Sequence, residues 1–119
     1  MPANVEIKAK ARDVNHQRKL AAALAGGPPR VIDQRDTFFH SRSGRIKLRR
    51  FADGTAELIE YERPDTTGAR RCEYRARPER DPELIHAVLT RTRGMRGEVR
   101  KRRELFMVGR TRLHFDRVE

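Results

Sequence analysis

Val5, Ile7 and Ala9 alternate with Glu6, Lys8 and Lys10, the period-two pattern of a strand with one charged face, and predict a first strand over residues 5–10. Asp13 stands where a helix N-cap belongs, Leu20, Ala21 and Leu24 follow at helical spacing, and Gly26-Gly27-Pro28-Pro29 closes the segment. Val31–Phe39 reads as extended, and Ser43-Gly44 turns the chain into Arg45–Arg49, where Arg45, Lys47 and Arg49 share a face opposite Ile46 and Leu48. Ala52-Asp53-Gly54-Thr55 is a hairpin signal that returns the chain through Ala56–Arg63, ended by Pro64. A further strand is expected over Arg70–Arg77. Asp81, Pro82 and Glu83 then supply N-cap, N1 proline and first-turn acid for a helix to Arg93, closed by Gly94, with Leu84, Ile85, Val88 and Leu89 at helical spacing. Val99–Val108 and Arg112–Val118 alternate as strands around Gly109-Arg110. The pattern predicts an α+β domain with an antiparallel sheet.

Composition changes this picture in two ways. With 119 residues the chain is expected to form a single domain, 1–119, and its net charge of +11 calls for an anionic partner. Charged residues (38%) outnumber hydrophobic ones (36%), so the core must be lean. The longest apolar stretch, Leu20–Ala25, is far short of a membrane span, and Met1–Asn4 lacks the basic and apolar regions of a secretory signal, so the expected location is the cytoplasm. A lone Cys72 excludes an intramolecular disulfide and a cysteine-based zinc cluster.

The charges themselves are patterned. Basic residues recur at i, i+2 spacing on several strands: Lys8/Lys10, Arg45/Lys47/Arg49, Arg100/Arg102 or Lys101/Arg103, and Arg112 beside His114. One such strand is ordinarily a solvated face; several in one sheet repel one another, and a polyanion held in a curved sheet relieves the repulsion. Glu6 and Asp116 lie two residues from Lys8 and His114, so hard oxygen ligands stand beside phosphate-binding cations, an arrangement suited to Mg²⁺ or Mn²⁺. Arg100-Lys101-Arg102-Arg103, as an exposed patch, would track a nucleic-acid backbone, but 6% aromatic residues and no Trp supply few stacking platforms. A nucleic-acid partner is therefore disfavoured.

At these residues the chain resembles a known family. Asn4-Val-Glu-Ile-Lys8, Gln34–Phe39, Gly44–Arg49, Glu57–Asp65, Val99–Leu105 and Arg112–Asp116, in this order, resemble the CYTH domain, the superfamily of class IV adenylyl cyclases and thiamine triphosphatases, also called triphosphate tunnel metalloenzymes. The resemblance implies an antiparallel β-barrel with outer helices, a triphosphate in its basic lumen, and Mg²⁺ or Mn²⁺. It assigns the triphosphate to Lys8, Arg45, Lys47, Arg49, Arg63, Lys101 and Arg103, with Lys8, Lys101 and Arg103 catalytic, and the metal to Glu6, Asp116 and Glu119. Asn4 replaces the first acid of the family's Glu-x-Glu-x-Lys signature. The family pattern continues past the equivalent of Glu119 with a Gly-rich turn and a closing strand bearing Glu-x-Glu, so the tunnel is expected to have an open seam that a second copy of the chain could cover. The activity implied is conversion of ATP to cyclic AMP and pyrophosphate, or hydrolysis of a triphosphate; the alternative is an inactive phosphate- or polyphosphate-binding module. Tyr61, Phe38 and Phe39 are expected in the core outside the lumen, His114 as a packed or solvated side chain, and Asp36 at the tunnel mouth or in a turn.

Overall fold

The computed structural model describes residues 3–62 and 68–119. Its elements run β1 (Ala3–Glu6), α1 (Val14–Ala25), β2 (Arg30–Phe39), β3 (Arg45–Phe51), β4 (Ala56–Glu62), β5 (Arg70–Pro78), α2 (Pro82–Arg93), β6 (Met95–Val108) and β7 (Thr111–Val118). The described strands form one curled sheet in the order β1-β5-β4-β3-β2-β6-β7, with every neighbouring pair antiparallel. It is a half-barrel whose two edges, β1 and β7, are not paired with each other, the α+β architecture expected from the alternation.

The helices begin and end where the sequence predicts. The Asp13 carboxylate accepts from the His16 N–H at 3.2 Å, and Asp81 does the same for the Leu84 N–H at 3.1 Å, each satisfying a donor that a helix start leaves unpaired. Gly26, in the left-handed region at φ 77°, ends α1 by donating to the Ala22 carbonyl. The first strand differs from expectation: it covers Ala3–Glu6 instead of 5–10. β1 pairs only with β5, and its last pair is Glu6 with Arg70, where β5 begins, so the alternating residues 7–10 find no partner strand. β6 starts earlier than predicted, at Met95, because it continues antiparallel along β2 as far as Phe39.

Strand alternation sorts the sheet into two faces. On the convex face Phe39, Leu48 and Ala56 pack under Ile85 and Leu89 of α2, with Leu48 fully buried. The helix α1 lies over β6, where Arg18 pairs with Glu104 and Ala21 is buried. On the concave face Ile59, Tyr61 and Cys72 form a second buried cluster against Tyr74. Tyr61 and Phe38 are therefore on the concave face and not in the core beneath the helices. Phe38 and Phe39 are consecutive in one strand, so only one can face the helices.

Candidate functional site

The central strands β3, β2, β6 and β7 project their charged residues into the concave side. The register places Lys47 opposite Phe38, Arg49 opposite Asp36, Lys101 opposite Gln34, and Arg103 opposite Asp116. Antiparallel partners share a face, so these cations and the two aspartates line one trough.

The cluster is an alternating network. Arg49 donates from Nε and Nη2 to the two oxygens of Asp36 at 2.8 and 2.9 Å, a bidentate pair. Lys47 Nζ lies 3.7 Å and Lys101 Nζ 4.0 Å from the same carboxylate. Arg103 makes a second bidentate pair with Asp116, at 2.8 and 3.0 Å, and Lys101 is 3.6 Å from it, so Lys101 bridges both acids. Arg45 shares this face and Glu57 stands opposite Arg49, so five basic side chains meet three carboxylates, a surplus of two positive charges when Lys47 is protonated. Lys47 also sits over the Tyr61 ring, 4.9 Å from its centroid, and near Phe38 at 5.7 Å.

Burial sets the protonation of these groups. For Asp36, 1% exposed, burial pushes the carboxyl upward, but the Arg49 hydrogen bonds and the charges of Arg49, Lys47 and Lys101 outweigh it and hold the group below the usual range. Asp116 is held down in the same way, burial being overcome by Arg103 and Lys101. Burial, with Arg49 next to it, lowers Lys47 to about 7 despite the attraction of Asp36. Lys101 is lowered by burial and by Arg103 and Arg49. His114 falls to about 4 through burial and the neighbouring Arg103 and Arg112, so its imidazole is neutral at pH 7.

The structure brings together Lys47, Arg49, Lys101, Arg103 and Asp116 from the predicted set. Arg45 lies on the same face of β3, two residues from Lys47 and opposite Tyr61. Glu6 is at the far edge of the sheet on β1, with its carboxylate 3.7 Å from Arg70. Lys8 lies beyond the end of β1 and is exposed. Glu119 follows β7 and donates its backbone N–H to the Arg100 carbonyl at 2.8 Å. Arg63 lies outside the described residues. Asp36, which the sequence leaves at a tunnel mouth or in a turn, is the hub of the network. The signal for it was the alternation Gln34, Asp36, Phe38 along β2, opposite the basic strand β3.

Among the described residues no three of His, Cys, Asp and Glu gather as a metal cage. Asp36 and Asp116 already accept bidentate arginine pairs, Glu57 stands opposite Arg49, and Glu6 lies near Arg70. This donor set does not fit a preformed divalent-metal site.

The chain is thus an α+β half-barrel of antiparallel strands with a cationic trough on its concave side and helices on its convex side. The model of the CYTH domain family matches residues 2–119, and the chain belongs to that family. This is a triphosphate-binding tunnel superfamily, metal-dependent in general. Two solved structures are similar in fold. The PH1012 protein of Pyrococcus horikoshii OT3 has a TM-score of 0.74 at 17% identity, covering 98% of this chain and 70% of that one. A conserved hypothetical protein of Pyrococcus furiosus has a TM-score of 0.71 at 19% identity, covering 97% and 70%. No curated protein matches the sequence. Among the described residues no helix is long and apolar enough to cross a membrane.

Proposed function

We propose that the concave trough binds a triphosphate, with Lys47, Arg49, Lys101 and Arg103 taking the phosphate oxygens. The observation that carries this reading is the surplus of positive charge around Asp36 and Asp116. Two carboxylates fix the geometry of four cations without neutralising them, so the donors are oriented before a ligand arrives and ordering them costs little on binding. With the Nε and Nη2 of each arginine held by its aspartate, the outer guanidinium N–H groups are left for phosphate oxygens, and the lysines add compact charges between them. Chemistry at phosphorus then follows from positioning and charge stabilisation: attack by a ribose hydroxyl at the α-phosphorus in an adenylyl cyclase-like reaction, or by water in a triphosphate hydrolase.

A second reading, binding without turnover, is favoured by one observation: Asp36 and Asp116 are committed to arginine, and Asn4 stands where the family has its first acid. Titration of the chain with ATP and with inorganic triphosphate, with and without Mg²⁺ or Mn²⁺, followed by analysis for cyclic AMP and phosphate, separates the two. Saturable binding that Arg49→Ala with Arg103→Ala abolishes supports the trough. Metal-dependent product identifies the enzyme, and alanine at Glu6, Asp116 and Glu119 then tests the acids assigned to the metal. Binding that persists in excess chelator with no product identifies the module. Absence of any triphosphate binding sinks both.

A further inference from the structure

The basic run Arg100–Arg103 does not act as one unit. Alternation along β6 sends Lys101 and Arg103 into the trough and Arg100 and Arg102 to the convex face. There they join a group that the triphosphate site does not use. Arg35 lies directly opposite Arg50 on β3 and directly opposite Arg100 on β6, and Arg102 lies directly opposite Arg117 on β7. These are three arginine-on-arginine pairs across four adjacent strands.

Like charges directly opposite on neighbouring strands disfavour pairing, and elsewhere on this sheet only Glu62 opposite Glu73 repeats the problem among the described pairs. The trough interleaves its cations with Asp36 and Asp116, and further along the convex face Glu60 faces Arg75. On the arginine patch the compensation is partial. Glu83 lies 3.3 Å from Arg50 and Glu98 3.6 Å from Arg35, and Asp33 is opposite Arg102 in the register. Arg100, Arg102 and Arg117 are exposed, and among the described residues no carboxylate forms an ion pair with any of them. Strand geometry spaces the arginines by ~5 Å across the sheet and ~7 Å along it, so the five form a row of positive charge across the face that also carries α1 and α2, with Arg50 largely covered beside Glu83 and Arg100, Arg102 and Arg117 open to solvent.

We infer that this convex row of Arg35, Arg50, Arg100, Arg102 and Arg117 binds the phosphodiester backbone of nucleic acid, independently of the concave trough. Charge complementarity selects this occupant. A row of regularly spaced forks suits an extended polymer with one charge per residue better than a compact anion, and the exposed guanidiniums of Arg100, Arg102 and Arg117 can each hold two phosphate oxygens. A duplex carries about one negative charge per 1.7 Å of axis, the density that a chain of net charge +11 attracts most strongly. No aromatic side chain belongs to the row, so the contact reads backbone and not bases.

The test is fluorescence anisotropy of the whole chain with labelled duplex RNA, duplex DNA and a single strand across a salt series, with saturating inorganic triphosphate as competitor and poly-glutamate as a control polyanion. Binding is expected to survive triphosphate. The triple variant Arg100→Ala, Arg102→Ala, Arg117→Ala should weaken it at least tenfold and lower the slope of log affinity against log salt by about one per arginine removed. Its lysine counterpart should retain most of the binding. The same triple alanine variant should bind inorganic triphosphate as the unmodified chain does, which shows that it is folded. Loss of nucleic-acid binding to triphosphate competition would place the polymer in the trough and overturn the inference, as would an unchanged triple variant or tighter binding of poly-glutamate. Failure of triphosphate binding alone would overturn the trough reading and leave this one standing.

Discussion

Asp36 is the side chain on which the trough turns, because it is almost fully buried and accepts from one arginine while facing two lysines. Removing one partner of a buried charge network leaves the others uncompensated, a loss of ~3–5 kcal/mol. Asp36→Asn, equal in size, is expected to lower stability by about that amount in urea unfolding, and inorganic triphosphate should restore part of it by supplying the missing negative charge. A loss too small to resolve would show that the network does not hold the sheet. Lys47 adds a pH dependence. Its folded value of about 7 lies below its ordinary 10.5, so between these pH values the unfolded chain holds a proton that the folded one has released. Unfolding then takes up a proton, and this lysine's contribution makes stability rise with pH through that window and be lowest below pH 7. Phosphate beside Lys47 favours its charged form, so triphosphate binding at pH 8–9 should draw in a proton and weaken as pH rises. Calorimetry in buffers of different ionisation heat reads the uptake directly. Lys47→Arg, always charged, should bind without that uptake, and equal uptake in both proteins would remove Lys47 from the explanation.

At the scale of elements, turns fix which face each cation meets. Gly44, between β2 and β3, has φ +68°, and a Cβ there would stand 2.7 Å from the Tyr61 carbonyl and 2.8 Å from Glu62 Cγ. Gly44→Ala combines left-handed strain of ~1–2 kcal/mol with a clash against β4 backbone, so its thermal unfolding should fall by more than the strain alone. A variant as stable as the parent would mean that β3 and β4 can separate here without cost. Much of this level was legible in the sequence, since both helices carry their caps and the β3–β4 hairpin is bounded by Gly44 and the 52–55 turn. What the sequence could not supply was pairing. Residues 7–10 alternate as well as 3–6 do, and only the end of β5 decides which of them is strand. Asp36 is likewise one acid in an extended segment until β3 and β6 are laid on either side of it, and Tyr61 reads as ordinary core until its register puts it beneath Lys47.

For the whole molecule, an open trough and a large charge act together. The radius of gyration, 15.6 Å, exceeds the ~13.5 Å of a compact chain of this length, as a half-barrel with unpaired edges requires. Such a shape buries little core, and its net charge of +11 repels itself. A ligand that binds only the folded form should therefore register strongly in stability. At a hundred times its dissociation constant, inorganic triphosphate contributes ~2.7 kcal/mol, or a rise of about 10 °C in Tm for a domain of this size. Two mechanisms give this rise different signatures. General relief of repulsion acts through the field of all the charges and fades as salt screens it beyond ~10 Å. The specific site acts through buried, paired cations that salt screens less, and it needs Arg49 and Arg103. Differential scanning fluorimetry at 0.1 and 0.5 M salt, on the parent and on Arg49→Ala with Arg103→Ala, separates them. The site requires a rise that survives salt, at fixed saturation, in the parent and vanishes in the variant. A rise of the same size in both proteins, lost at high salt, would assign the stabilisation to net charge and leave the trough without a ligand.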